Sequence, residues 1–481
     1  MPPPIYSLGG KTFPVPAKLH SDNRGRLLNR LRGNKDVPSG AVILLEGGKE
    51  INQYCTDIEL VFRQESFFMW TFGVELSGFF GAISVETGKT VLFAPKIPEA
   101  YIVYVGKLMS NEDLKERYAV DEVHFVEEMA EVLRAMQPST LLTLKGVNTD
   151  SGLTSHEATF DSIDKFTVDN SILHPEISEC RVFKSPGELE ILRYVCQVSC
   201  EAHKEVMRKV RPGMQEYQLE STFKHHVYYH GGCRHVAYTC ICASGINASV
   251  LDYGHAGAPN NRQILDGDIC SFDMGGEYYC YASDITCAFP ANGKFTADQR
   301  MIYEAVLKAN RVVFKTMKPG VLWPDMHRLA ERVLLEELTR HGLLKGDVDE
   351  MMKVYLGAVF MPHGLGHFMG CDTHDVGGYP KGVDRIQRPG IKNLRTARVL
   401  QAGMVITVEP GCYFIAETLE PALKNPDMMP FLCPDVLERF KNFGGVRIED
   451  DVLVTQDGAE NLSSGVPREI DEIEALMAEG R

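Results

Sequence analysis

The chain has 481 residues, of which 44% are hydrophobic and 24% are charged, and its formal net charge is −15. This length exceeds one typical hydrophobic core and predicts two domains or three. The acidic balance argues against nucleic acids and anionic membranes as partners, because affinity for phosphate rests on basic patches that the sequence does not show. No apolar run approaches the roughly 18 residues of a membrane span, so we expect a soluble protein with no membrane partner.

The beginning of the chain and its cysteines bear on the compartment. Residues 1–6 have neither the basic nor the apolar stretch of a secretory signal, so we expect a cytoplasmic protein. Thirteen cysteines are scattered without a CxxC pair, which argues against a disulfide scaffold and against a cysteine zinc site. We expect most of them to be reduced and buried.

Residues 1–184 alternate helical and strand patterns, which predicts an α/β domain. Leu27, Leu28 and Leu31 fall at helical spacing, and another helical pattern covers 126–136. The aromatic cluster at 67–70 is more typical of a core or a dimer interface than of a ligand site. Predicted strands occupy 41–45, 81–85, 90–93 and 140–144.

A second domain is predicted over 185–481. Ser185, Pro186 and Glu188 form an N-cap, a first-turn proline and a capping-box partner, so a long helix begins there. Helices flank strands in the rest of this domain without strict alternation, which favours an α+β domain with an antiparallel sheet. The later predicted helices cover 215–229, a segment opened by Thr296 and ended by Pro319, and 323–341.

A hairpin in the middle of this domain carries two carboxylates. Asp273 ends one predicted strand, Asp284 lies in the next, and Gly275-Gly276 is the predicted turn, since paired glycines supply positive φ. Two carboxylates that face the same space on a rigid sheet, with only small side chains around them, repel each other. They require a cation or a proton between them. The alternative is a pair of surface acids on an amphipathic hairpin.

Three later stretches each add a candidate ligand. The glycine-rich loop that contains His363 and His367 supplies one imidazole rather than two, because glycines keep the pair off a common helix face. Glu409 lies at a strand end before a proline, and Glu449 alternates with Ile448. Taken singly, a histidine in such a loop is usually a structural donor, and a strand-end Glu is usually solvated.

Four carboxylates and one imidazole together suit Mn²⁺, Co²⁺, Zn²⁺ or Fe²⁺, and they exceed what one catalytic ion normally takes. The set therefore predicts two divalent ions. Such a pair holds a hydroxide at neutral pH and polarises a carbonyl oxygen, which is the chemistry of amide hydrolysis.

These motifs, in this order, resemble the creatinase and methionine-aminopeptidase group, the pita-bread metallopeptidases, and most closely the eukaryotic prolidases, which are Xaa-Pro dipeptidases. The resemblance covers nearly the whole chain and is denser in the second domain. It rests on the segments 54–57, 62–68, 253–260, 273–284, 363–367, 374–380 and 394–398 and on the two Glu motifs.

The resemblance implies a pita-bread catalytic domain, a homodimer and two ions, for which we expect Mn²⁺. It implies that Glu409 also transfers protons as general base and acid, that His363 and His374 stabilise the tetrahedral intermediate, and that His374, Arg395 and Tyr238 contact the dipeptide. Arg395 is the expected clamp on the substrate carboxylate. Apart from the family, Arg395 would be a surface charge and Tyr238 an ordinary aromatic. The implied metal ligands are Asp273, Asp284, His367, Glu409 and Glu449.

Asp252 departs from the family pattern, which has a histidine before Tyr253 that contacts the bound dipeptide. A carboxylate there repels the substrate carboxylate, so we hypothesise reduced activity, with a compensated, harmless change as the alternative. We therefore expect a metal-dependent Xaa-Pro dipeptidase. The alternative, from another class, is a catalytically weakened or non-catalytic pita-bread protein that serves as a binding module because of Asp252.

Overall fold

The computed structural model describes residues 5–481 and divides into two compact units, Met1–Glu188 and Leu189–Arg481. The predicted long helix begins as expected. The Glu188 carboxylate accepts the backbone N–H of Ser185 at 2.8 Å, and Ser185 Oγ accepts the backbone N–H of Glu188 at 3.3 Å, so this capping box satisfies two backbone N–H groups at the start of the helix.

The first unit has a six-stranded sheet in the order β4-β3-β2-β1-β5-β6. The pairs β1–β2 and β2–β3 are antiparallel, whereas β3–β4, β1–β5 and β5–β6 are parallel. The sheet is therefore mixed, as expected for an α/β unit with hairpins. The strands are β1 Val42–Glu46, β2 Phe80–Ser84, β3 Thr90–Ala94, β4 Glu122–Phe125, β5 Leu141–Leu142 and β6 Val168–Asp169. The helices are α1 Lys18–Gly33, α2 Ser66–Phe72, α3 Ile102–Val105, α4 Asn111–Tyr118, α5 Met129–Ala135 and α6 Leu173–Val182.

The aromatic cluster at 67–70 forms part of the core of this unit. Every residue of α2 is buried, and Phe72 packs so closely on Gly81 that a Cβ there would lie 2.2 Å from the ring. The Trp70 indole N–H donates to the Glu188 carboxylate at 2.9 Å, and the Trp70 carbonyl lies 3.0 Å from His20 Nδ1. The buried polar atoms of this helix thus have partners.

The second unit has four small sheets, and every strand pair in them is antiparallel. Their orders are β7-β10-β11, β8-β9-β12, β13-β16-β17 and β14-β15. The strands are β7 His235–Val236, β8 Ile241–Ser244, β9 Ile269–Asp273, β10 Gly276–Tyr278, β11 Tyr281–Ala282, β12 Thr286–Pro290, β13 Val405–Val408, β14 Gly411–Tyr413, β15 Gly445–Arg447, β16 Asp450–Val454 and β17 Ala459–Asn461.

Nine helices accompany these strands in the part of the chain that is described. They are α7 Pro186–Lys209, α8 Glu216–Gly231, α9 Ala297–Thr316, α10 Trp323–Arg340, α11 Val348–Lys353, α12 Gly357–Phe360, α13 Ala416–Lys424, α14 Pro434–Leu437 and α15 Ile470–Glu479. Thr296 caps α9 as predicted, since its hydroxyl accepts the backbone N–H of Gln299 at 3.2 Å.

The predicted turn of the central hairpin is wrong. Strand β9 pairs with β12, β10 pairs with β11, and the chain reverses at Tyr279 and Cys280, whose φ values are +52° and +63°. Gly275 serves a different purpose, because a Cβ on it would lie 1.8 Å from the Ser283 carbonyl oxygen. Glycine is needed there for close approach of the backbone, not for positive φ.

Among residues 5–481, no helix is long and apolar enough to cross a membrane. All thirteen cysteines are free thiols, and eleven of them are buried. The expectation of reduced, buried cysteines is confirmed.

Candidate metal centre

The central hairpin brings its two carboxylates to one cavity. Asp273 ends β9 and pairs with Thr286 across the sheet, whereas Asp284, which was predicted to lie in a strand, lies in the segment between β11 and β12. They are 8% and 4% exposed. The prediction of two acids facing one space is confirmed.

One histidine of the glycine-rich loop faces these acids with a free nitrogen. His367 Nδ1 lies 3.0 Å from the Phe368 carbonyl oxygen, to which it donates. Its Nε2 then lies 3.3 Å from Asp284 Oδ2 and 3.6 Å from Glu409 Oε1. Nε2 is therefore the ring atom that can ligate a metal, and the backbone hydrogen bond fixes its orientation.

The other histidine of the loop is engaged at both nitrogens. His363 Nδ1 lies 2.7 Å from the Gly364 carbonyl oxygen, and Nε2 lies 3.0 Å from the Tyr413 hydroxyl. A neutral ring that donates from Nδ1 and accepts at Nε2 satisfies both contacts. Burial lowers the pKa of His363 to about 3, and Arg447 adds to this effect. The loop thus presents one ligand nitrogen, as predicted.

The two glutamates reach the site from neighbouring sheets. Glu409 follows β13, and its Oε1 lies 3.3 Å from the Thr407 hydroxyl. Glu449 lies between β15 and β16, and its Oε2 accepts the Thr286 hydroxyl at 2.6 Å. Ligand atoms of Asp284, His367 and Glu449 all lie within 4.8 Å of one another.

The buried carboxyl groups of this cluster would be stabilised in their charged form by a bound cation. Burial raises the pKa of the Asp284 and Glu449 carboxyls well above the ordinary value, and repulsion among the neighbouring acids raises it further. Burial likewise raises the pKa of Glu409 to about 7, with Asp273 contributing. Burial lowers the pKa of the His367 imidazole to about 4, so that ring is neutral, as a metal ligand must be. A set of crowded carboxylates with one neutral nitrogen fits divalent cations.

Arg447 supplies the counter-charge that the sequence interpretation missed. Its guanidinium donates to Asp273 Oδ2 at 2.7 Å, to the Tyr413 hydroxyl at 2.8 Å and to Thr286 Oγ1 at 3.0 Å. Thr286 in turn donates to Glu449. Alternation places Arg447 on the same side as Glu449, and this is the signal that could have found it. One buried cation thereby orients two of the four acids.

A further buried carboxylate, that of Asp451, fixes the backbone at Asp284. The Asp451 carboxylate accepts the backbone N–H of Asp284 at 3.0 Å and the Cys196 thiol at 3.1 Å. Asp451 is fully buried. Nothing in its local sequence distinguishes it from a surface acid beside Glu449, so sequence reasoning did not identify it.

The cavity around the cluster has a volume of about 510 Å³. His374 is exposed and meets His367 edge to face, with ring centroids 4.4 Å apart. Tyr238 is half-buried, and its hydroxyl donates to Asp273 Oδ1. The structure brings every predicted site residue to this cavity: Tyr238, Asp273, Asp284, His363, His367, His374, Arg395, Glu409 and Glu449.

Comparison with known proteins agrees with this architecture. The model of metallopeptidase family M24 matches residues 190–456, and that of the aminopeptidase P N-terminal domain matches residues 20–142. The chain belongs to metallopeptidase family M24. The predicted fold class, an α/β first domain followed by an α+β pita-bread domain, is confirmed.

Individual relatives cover almost the entire chain. A protein named Xaa-Pro dipeptidase from Rattus norvegicus is 62% identical over 99% of this chain and 96% of its own length, and the one from Homo sapiens is 60% identical over the same shares. The structure of zinc-substituted Escherichia coli aminopeptidase P in complex with product has a TM-score of 0.78 at 28% identity, covering 97% of this chain and 99% of that one.

Proposed function

We propose that this metallopeptidase hydrolyses Xaa-Pro dipeptides. The observation that carries the proposal is the convergence of four carboxylates, one ligand imidazole and the Arg395 guanidinium on one cavity. Among the described residues Arg395 makes no ion pair, and its Nε is buried without a partner. The names of the relatives at about 60% identity support the same substrate class.

Two divalent ions, which we propose to be Mn²⁺, fit the donor set of the cavity. Asp273, Asp284, His367, Glu409 and Glu449 are the residues that would hold them. A pair of such ions supplies Lewis acidity to a carbonyl oxygen and lowers the pKa of water.

Glu409 is the proposed proton carrier. It is the most exposed member of the cluster, at 17% for its side chain, and its Oε2 lies 3.9 Å from His363 Nδ1. A carboxylate at the rim of the cluster is placed to accept the proton of the attacking water and to return it to the proline nitrogen that leaves. His363 and His374 are proposed to stabilise the developing negative charge. For His363 this requires exchanging one of its two present hydrogen bonds.

Arg395 is the proposed clamp on the C-terminal carboxylate of the dipeptide, and His374 and Tyr238 are proposed to line the substrate. A guanidinium that lacks a protein partner binds a carboxylate through two parallel hydrogen bonds. Arg395 is proposed to bind the free carboxylate of the proline residue itself. It therefore favours dipeptides, in which proline is the last residue, over longer peptides.

We further propose a homodimer in the cytoplasm, with functional domains at 1–184 and 185–481. The competing proposal is a weakened or non-catalytic binding module, and the specific observation behind it is Asp252, an exposed carboxylate that lines the same cavity. The five proposed metal ligands are all present, which favours the enzyme.

Matched substrates test the proposal. Manganese-loaded protein should cleave Gly-Pro, and Gly-Pro amide should be cleaved about 10–100-fold less efficiently, because a lost hydrogen bond to a charged group costs about 1.5–3 kcal/mol. Gly-Pro-Gly should also be poor. Equal cleavage of all three would refute the dipeptidase assignment, and binding of Gly-Pro without cleavage would support the binding module.

A further inference from the structure

Helix α8 carries two histidines one turn apart. His226 and His230 lie at positions i and i+4 of this helix, and their ring centroids are 4.6 Å apart. Side chains at this spacing share one face of a helix, and two imidazoles so placed can bind a single metal ion. His226 is half-buried and His230 is exposed. Within residues 5–481 neither ring has a hydrogen bond or an ion pair, so each has a nitrogen available for a metal.

Helix α7 packs antiparallel against α8. Gly231 approaches α7 so closely that a Cβ on it would lie 2.3 Å from the Val198 side chain. Further along, the rings of His203 and Phe223 meet edge to face, with centroids 5.1 Å apart. Residue numbers therefore rise along α7 as they fall along α8, and this register aligns the whole of α8 with the C-terminal half of α7.

Two glutamates in that half of α7 lie near the histidine pair. Glu201 and Glu205 are also one turn apart, so they share one face of α7. Burial lowers the pKa of His226 below its ordinary value, and His230 adds to this effect, whereas Glu205 and Glu201 oppose it. Conversely, a hydrogen bond from Lys209 lowers the pKa of Glu205, and His226 adds to that lowering. His226 is therefore neutral, as a metal ligand must be, and negative charge lies close to it.

The two carboxylates can turn towards the histidines. Glu201 pairs with Lys204 at 2.5 Å and Glu205 pairs with Lys209 at 2.9 Å, each within α7 and in contact with solvent. Exposed pairs of this kind are weak, and a carboxylate keeps a second oxygen for another partner. Among the described residues, three ligand atoms already lie within reach of one ion only in the candidate metal centre. A glutamate side chain must therefore turn to complete a ligand set at α8.

We propose that His226 and His230 of α8, together with Glu205 of α7, bind one zinc ion on the surface of the second unit. Water or Glu201 supplies the remaining ligand. Two imidazoles and a carboxylate suit Zn²⁺ better than Mn²⁺, which prefers oxygen ligands. Tetrahedral zinc with Zn–N bonds of about 2.0–2.1 Å separates two ligand nitrogens by about 3.4 Å. Rings whose centroids lie 4.6 Å apart reach that separation by turning.

This site is separate from the candidate metal centre. None of its four residues lines the cavity of about 510 Å³. A zinc ion held by both helices ties α7 to α8, which adds a cross-link to their packing. The inference goes beyond the proposed dipeptidase function and does not rest on it.

Equilibrium dialysis of the full chain against buffered micromolar Zn²⁺, followed by a count of bound metal, tests the proposal. His226→Gln and His230→Gln should each bind one zinc ion fewer per chain than the unmodified protein. His225→Gln is the matched control, because it removes a neighbouring exposed imidazole whose ring stacks on Tyr229, with centroids 5.2 Å apart. It should bind as many ions as the unmodified protein. With Mn²⁺ in place of Zn²⁺, all four proteins should bind equal numbers of ions.

The double variant Glu201→Gln, Glu205→Gln tests whether α7 takes part. It should bind this zinc ion at least about tenfold more weakly, since loss of even an outer partner of a metal ligand typically costs about 10–100-fold in affinity. An unchanged affinity would overturn the bridge between the helices.

The zinc counts also decide the role of the two histidines. Equal counts in the unmodified protein and in both histidine variants would overturn the site. Loss of an ion in only one of the two variants would show binding by a single imidazole, and loss in His225→Gln as well would show binding by any exposed imidazole; either result overturns the chelate. Because the counts do not depend on peptide cleavage, failure to hydrolyse Gly-Pro would remove the proposed function and leave this inference standing.

Discussion

Replacing Arg447 by methionine tests how the acidic cluster is balanced. The 2.7 Å pair with Asp273 is almost fully buried, at 7% and 12% side-chain exposure. With an effective dielectric constant of about 20, the Coulomb attraction at this separation is about 6 kcal/mol, and breaking a buried pair typically costs about 3–5 kcal/mol. We expect a loss of that size in the free energy of unfolding of metal-stripped protein.

The same substitution should cost much less in the presence of Mn²⁺, because the cation provides Asp273 with another positive partner. Urea unfolding of Arg447→Met and of the unmodified chain, each with chelator and with Mn²⁺, measures both losses. Arg447→Lys is the matched control. It keeps the charge but lacks the planar fork that reaches Asp273, Tyr413 and Thr286 together, so its loss should be intermediate. Equal losses with and without metal would refute the argument.

Three further predictions concern binding, activity and pH. Arg395→Met should raise KM for Gly-Pro by about 10–100-fold and leave the amount of bound metal unchanged. The control Lys392→Met, at an exposed position nearby, should change neither KM nor the amount of bound metal. Kinetics and metal analysis of the two variants in parallel check this. Asp252→His should raise kcat/KM for Gly-Pro, and an unchanged value would contradict the hypothesis of reduced activity. Burial lowers the pKa of His20 from 6.5 to about 3, so the unfolded chain binds a proton more readily and His20 favours unfolding progressively as pH falls from 6.5 towards 3. The free energy of unfolding of His20→Gln should therefore fall less over that pH range than that of the unmodified chain, by up to about 1.4 kcal/mol per pH unit. Identical dependence of the two free energies on pH would contradict this prediction.

Local sequence patterns predicted several helices and strands and the five candidate metal ligands. The Ser185 and Thr296 caps begin α7 and α9 as predicted, since capping boxes involve residues only three apart. Alternation predicted that Asp273 and Asp284 face one space, and both line the cavity, although Asp284 lies between β11 and β12 and not in a strand. The convergence of distant motifs came from resemblance to a family.

The features that the sequence could not reveal depend on contacts between distant residues. Arg447 and Asp273 are 174 residues apart, and Asp451 and Cys196 are 255 apart. No local pattern separates such buried partners from surface charges. The turn at Tyr279 was missed for a related reason, because Gly275 is required by an approach to Ser283 across the hairpin and not by the turn.

We propose that this cavity holds two divalent ions and uses them to hydrolyse Xaa-Pro dipeptides. The most direct measurement is Gly-Pro hydrolysis by metal-stripped protein, with and without added Mn²⁺, together with a count of bound metal per chain. We expect two bound ions per chain and cleavage that depends on them. Two bound ions with no cleavage of any Xaa-Pro dipeptide, or cleavage that persists without metal, would contradict it.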